Sequence, residues 1–155
     1  MIIKKNSLIY VAHHEDKIGG AILNRLKDYG YKNLLTRPKE DLNLKNSEKV
    51  EKFFEKHKPE FIFLSAGKSG SLSANIKHPA DFIEENLKIE LNVIGAARRN
   101  GAKKLLFFGA SCMYPSGAHQ PIKEDAYLTG EVEKTSQAYA VAKIAGTEYC
   151  RALSM

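Results

Sequence analysis

Apolar positions along this chain switch between two periods, and the switches predict its elements. Leu8 to Ala12 is a short apolar run with β-branched residues at its centre and reads as a first strand. Ile18, Ala21, Ile22, Leu26 and Tyr29 then recur at helical spacing, and Gly30 supplies the stop. Asn33 to Thr36 is a short second strand, and Val50, Phe53, Phe54 and His57 mark a second amphipathic helix ending near Pro59. Phe61 to Ser65 reads as a buried third strand. Pro79 suits the first turn of a long helix and Gly101 the position just past its end, with Ile83, Leu87, Leu91 and Ile94 along one face. Lys104 to Gly109 is a fourth strand, and a last helix runs from about Gln137 to Ala152. Strands alternating with helices imply an α/β fold, a doubly wound parallel sheet of about four strands. Ligands of such sheets bind beyond the carboxyl ends of the strands. The turns at Ala12 to Gly20, Ser65 to Asn75 and Gly109 to Pro115 are expected to open there.

The chain has 155 residues and reads as one domain over residues 1–155. Hydrophobic content of 43% and charged content of 27% describe a soluble globular protein. No run of about 18 apolar residues is present, and the N-terminus lacks the apolar core of a signal peptide, so a cytoplasmic location is expected. The net charge of +6 does not mark a nucleic-acid footprint, because lysines alternate with glutamates from Glu51 to Lys58, the pattern of a solvated helix face. Cys112 and Cys150 are too few and too scattered for a disulfide framework or a metal site. His13 and His14 have no carboxylate–histidine pattern beside them and are expected to line a turn.

The chemistry concentrates in two segments, Leu105 to Pro115 and Tyr139-Ala-Val-Ala-Lys143. A tyrosine and a lysine four apart share a helix face, where the ammonium favours the ionised phenol. Such a tyrosine exchanges a proton with a carbonyl or hydroxyl near neutral pH. A lone pair at this spacing is as readily a half-buried tyrosine beside a solvated lysine. Its position after an apolar strand ending in Gly109-Ala-Ser-Cys112 gives it meaning.

These segments, with Ala66 to Asn75, His78 to Ile83 and Gln120 to Glu124, resemble the N-terminal half of the GDP-L-fucose synthase family, extended short-chain dehydrogenases/reductases with a Rossmann-like fold. The resemblance implies an NADP-dependent oxidoreductase that epimerises a GDP-linked 4-keto sugar and then reduces its ketone. It implies Tyr139 as proton donor, Lys143 as its partner and ribose contact, and Cys112 as the thiol that moves protons in epimerisation. It further places Gly19 in the phosphate turn, Arg37 at the 2′-phosphate of NADP, Asp41 near the adenine, and Ala66 and Lys68 in the loop over the nicotinamide. Asn86 and Asn92 lie on the helix near this site with no role assigned. A homodimer through helix packing is the family's usual assembly.

Three departures qualify the resemblance. His13 and Asp16 occupy the first two glycine positions of the family's G-x-x-G-x-x-G turn, where bare backbone approaches a diphosphate. Two like charges about 4 Å apart repel by about 4 kcal/mol at an effective dielectric near 20, roughly a thousandfold in binding. Asp16 is instead expected to cap the following helix. Ala110 stands where the family has its catalytic serine, a loss of about 2–4 kcal/mol of transition-state stabilisation unless Ser111 replaces it. The chain also ends at Met155, where relatives continue into a substrate domain, so the resemblance implies a truncated sheet with that domain absent and apolar surface at its edge. Two readings stand: the cofactor-binding half of a nucleotide-sugar epimerase/reductase, completed by a second domain or chain, or a non-catalytic pseudoenzyme or interaction module on the same scaffold.

Overall fold

The computed structural model describes residues 2–154; Met1 and Met155 lie outside the described residues. The chain packs as two compact units, one built from the chain up to Ala66 with Lys88–Phe108, the other from Gly67–Leu87 with the chain from Gly109 onward. The element order is β1 (Ile9–Ala12), α1 (Lys17–Asp28), β2 (Leu34–Leu35), α2 (Ser47–His57), β3 (Phe61–Leu64), α3 (Leu72–Lys77), α4 (Pro79–Arg99), β4 (Lys104–Phe107) and α5 (Gln137–Ala152).

The first unit is a four-stranded sheet in the order β2-β1-β3-β4. Every pairing is parallel, with Ile9 opposite Leu34 and Phe61, and Phe61 opposite Lys104. All four residues of β1 are buried, so the strand is covered on both faces. Alternation sends Ile9 and Val11 into a cluster with Leu26 of α1, and Tyr10 to the opposite face. There Tyr10 meets Phe53 at 4.8 Å and Phe54 at 5.9 Å between ring centroids, joining α2 to the sheet. Helix α2 starts at Asn46, whose side chain accepts from Lys49 N–H, and ends at Lys58 in the left-handed region. Gly30 and Gly101 take the same conformation, with φ of 75° and 74°, just past α1 and α4. Strand β4 is an edge of the sheet, and its Leu106 is 45% exposed.

The second unit carries α3, the first part of α4, three short 3-10 turns at Ser111–Met113, Glu124–Ala126 and Lys134–Ser136, and α5. Phe82 of α4 meets Tyr139 of α5 edge to face at 6.3 Å. Tyr127 stacks against Tyr114 at 6.3 Å and under Arg151 at 4.7 Å.

The structure differs from the sequence reading in three places. A short helix, α3, stands inside the segment expected to be an open turn from Ser65 to Asn75, and it is capped by Ser71, which accepts from Ala74 N–H. The strands end sooner than expected, at Leu35, Leu64 and Phe107. Most consequential, α4 does not bury the stripe from Ile83 through Leu91. Leu91 is 56% exposed, whereas Phe82, Asn86, Glu90, Val93 and Ala97 are buried. Of the expected face Ile94 is buried and Ile83 and Leu87 are part-buried, while the buried stripe also takes in an amide and a carboxylate that hydrophobic spacing does not mark. Ile94→Ala is expected to cost about 2–5 kcal/mol in urea unfolding, and Leu91→Ala less than about 0.5 kcal/mol. Equal losses would show that the helix packs on the other stripe.

Candidate functional site

The turn after β1 belongs to the first unit. His13 has φ 60°, a left-handed conformation that a glycine takes without cost. Gly19 has no room for a side chain, since a Cβ there would lie 2.2 Å from the His13 carbonyl oxygen. The backbone therefore retains the shape of a glycine-rich turn even though two glycine positions carry side chains.

Asp16 sits at the N-cap of α1 in extended backbone, but its side chain does not cap the helix. Its Oδ2 is instead 2.7 Å from His13 Nδ1. The expected cap is thus corrected: the carboxylate lies beside the imidazole and not on the helix N–H groups. His14 Nδ1 is buried without a partner among the described residues. No cluster of metal-ligating side chains occurs among the described residues.

Beyond β2, Arg37 donates from Nη1 to the Thr36 carbonyl at 2.7 Å. Its Nη2 lies 3.3 Å from His57 Nε2, and the guanidinium stands 5.8 Å from the Phe53 ring centroid. Burial lowers the His57 pKa, assisted by the Arg37 and Lys56 charges. Lys39 N–H donates to Glu15 Oε2 at 3.0 Å, which brings a carboxylate to the same loop. Asp41 is exposed and its N–H bonds to the Pro38 carbonyl. Ala66 is 1% exposed just past β3.

In the second unit, Lys143 is only 4% exposed on α5, and its Nζ is 5.9 Å from the Tyr139 ring centroid. Gly67 lies directly beside this group: a Cβ at Gly67 would be 2.6 Å from Asn86 Oδ1 and 3.3 Å from Lys143 Nζ. Asn86, fully buried, binds the next residue at both ends. Its Oδ1 accepts from Lys68 N–H at 2.9 Å, and its Nδ2 donates to the Lys68 carbonyl at 3.0 Å and the Phe82 carbonyl at 2.7 Å. Lys68 Nζ pairs with Glu85 at 2.6 Å and stands 3.7 Å from Asp81. The Glu85 hydrogen bond raises the Lys68 pKa.

Cys112 and Ser111 share a 3-10 turn entered from Ala110 in extended backbone. Ser111 is exposed, and Cys112 is half-buried. Burial raises the Cys112 thiol above the ordinary cysteine value, with a backbone hydrogen bond and the Lys143 ammonium pulling the other way. Cys112 is therefore a thiol at neutral pH. Cys112 and Cys150 form no disulfide.

Thus Tyr139, Lys143, Cys112 and Lys68 fall in one unit, and Gly19, Arg37, Asp41 and Ala66 in the other. Sequence reasoning missed Asn86, His57 and Glu15 as members of these clusters. Only for Asn86 was there a signal, an amide on a helix already singled out.

A parallel α/β sheet with a glycine-shaped first turn and a tyrosine–lysine helix describes the dinucleotide-dependent reductases and epimerases as a class. Residues 10–155 match the NAD dependent epimerase/dehydratase family, and the chain belongs to it. It is 46% identical over 148 residues to GDP-L-fucose synthase 1 of Arabidopsis thaliana, covering 96% of this chain and 46% of the plant protein. It is 42% identical over 142 residues to the GDP-L-fucose synthase of Escherichia coli K12, covering 92% and 44%. Among solved structures, MlghC, a GDP-mannoheptose C4 reductase from Campylobacter jejuni with NADP bound, superposes with a TM-score of 0.95 at 39% identity, covering 99% of this chain and 48% of that one. The chain spans about half the length of the curated relatives it matches.

The thiol assignment predicts a pH profile. In a Cys150→Ser background, iodoacetamide alkylation of Cys112 is expected to reach half its maximal rate above the pH of an ordinary cysteine, and Lys143→Met is expected to move the midpoint higher still. A midpoint at or below the ordinary value would contradict the burial argument.

Proposed function

We propose that the chain is the cofactor-binding part of a nucleotide-sugar epimerase/reductase acting on a GDP-linked 4-keto sugar. The observation that carries this reading is the buried Lys143 ammonium beside Gly67 and the Tyr139 ring, in a loop that Asn86 braces. A lysine only 4% exposed is costly to hold unless its charge is used.

In this reading Tyr139 gives its phenolic proton to the C4 oxygen as the ketone is reduced, and Lys143 stabilises the phenolate that remains. Lys143 also takes the ribose hydroxyls. Cys112, held as a thiol, would return a proton to the carbon beside the ketone after a base has removed the original one from the opposite face. NADPH, when bound, supplies the hydride. In the first unit the backbone at Gly19 and the uncapped start of α1 fit its diphosphate, Arg37 its 2′-phosphate and Asp41 its adenine. Asp16 works against that fit, so affinity is low. Ser111, exposed at the turn, is the hydroxyl nearest in sequence to the serine position held by Ala110.

The competing reading, a non-catalytic relative that uses the scaffold for interaction, is favoured by the same Asp16 and by Ala110. NADPH titration followed by nicotinamide fluorescence separates the two. The wild-type chain is expected to bind in the roughly millimolar range, and the His13→Gly/Asp16→Gly variant at least about tenfold tighter. Micromolar binding by the wild type would refute the charge argument at Asp16. Silence in both proteins would favour the non-catalytic reading.

A further inference from the structure

We infer that His57 is the second cation of the phosphate site formed by Arg37, and that it takes up a proton when a phosphate monoester binds there. This rests on the assignment of Arg37 to the 2′-phosphate of NADP proposed above.

The geometry begins with the protonation state of the empty site. Arg37 keeps its charge at all relevant pH values, so Nη2 donates and His57 Nε2, 3.3 Å away, accepts. His57 is thus a neutral imidazole with its proton on Nδ1. Its surroundings enforce that state: burial and the cations Arg37 and Lys56 all lower its pKa. From β1, Tyr10 packs against Phe53 and carries a phenol that burial pushes up, so it contributes no charge near neutral pH. From α2 itself come the Phe53 ring, 4.9 Å from the imidazole, and Lys56. The charges that act on His57 are both positive, and an incoming anion supplies what they lack.

The charge balance of the loop gives the proton its importance. Glu15, tied to the Lys39 N–H two residues along from Arg37, brings a carboxylate to the same loop. Two of the five guanidinium N–H groups are already engaged, with the Thr36 carbonyl and with His57. A proton on Nε2 breaks the Arg37–His57 bond and releases Nη2 toward the phosphate. It also turns the imidazole into a donor with a full positive charge. His57 is therefore a specificity residue for the phosphorylated ligand, and an unphosphorylated ribose has no means of drawing the proton in. A bound dianion raises the His57 pKa, so affinity grows as pH falls from the bound value toward the free one.

The probe is adenosine 2′-monophosphate compared with adenosine, neither of which carries the diphosphate assigned to the turn at Asp16. With the full chain, isothermal titration is expected to show the phosphate ester binding about threefold tighter or more at about pH 6.5 than at about pH 8, while adenosine does not change. The NMR titration midpoint of the His57 imidazole is expected to move up on saturation with the ester. His57→Gln retains an acceptor for Arg37 and is expected to bind the ester with a flat profile apart from the ester's own ionisation. A profile unchanged in His57→Gln, or an imidazole midpoint that does not move, overturns the role of His57 and leaves Arg37 as the phosphate contact. Equal binding of the ester and adenosine at every pH overturns both assignments.

Discussion

The approach of α1 to the end of β1 is the constraint on which the first unit depends. Gly19 lies so close to the His13 carbonyl that any side chain would collide with backbone, which cannot move aside. The helix start is thereby pinned over the strand, and the intervening turn is compressed until His13 adopts a left-handed conformation. The contact of His13 with Asp16 lies within that same turn.

A second close approach organises the other unit. Gly67 leaves the space in which the buried Lys143 ammonium and the Asn86 amide stand side by side. Asn86 then uses both ends of its amide to fix the Lys68 backbone, replacing the pairing that this loop has no strand to supply. Those hydrogen bonds are what allow so polar a side chain as Asn86 to be fully buried. The chain belongs to the NAD dependent epimerase/dehydratase family.

The elements themselves were legible because each is specified by neighbours in sequence. The span of α5 from Gln137 to Ala152 and the stops at Gly30 and Gly101 follow from helical periodicity and from residues that tolerate positive φ. The facing of α4 was legible only in part, at Ile94 and not at Leu91. Its true buried stripe passes through Asn86 and Glu90, and only partners distant in the chain make a polar side chain belong inside. Helix α3 escaped notice for a related reason, since six residues with a serine cap are too short for periodicity to register.

The same division runs through the candidate site. Sequence alone determined the residue types available for chemistry: the Tyr139–Lys143 spacing, the Cys112 turn, and the loss of glycine at His13 and Asp16. Tertiary structure decided what those residues do to one another. It turned Asp16 from a cap into the partner of His13, set Arg37 against His57, and raised the Cys112 thiol by burial. Spacing along a helix is fixed by covalent geometry and can be read locally. Charge pairing and desolvation depend on which distant segments arrive, and a linear chain carries no record of those distances.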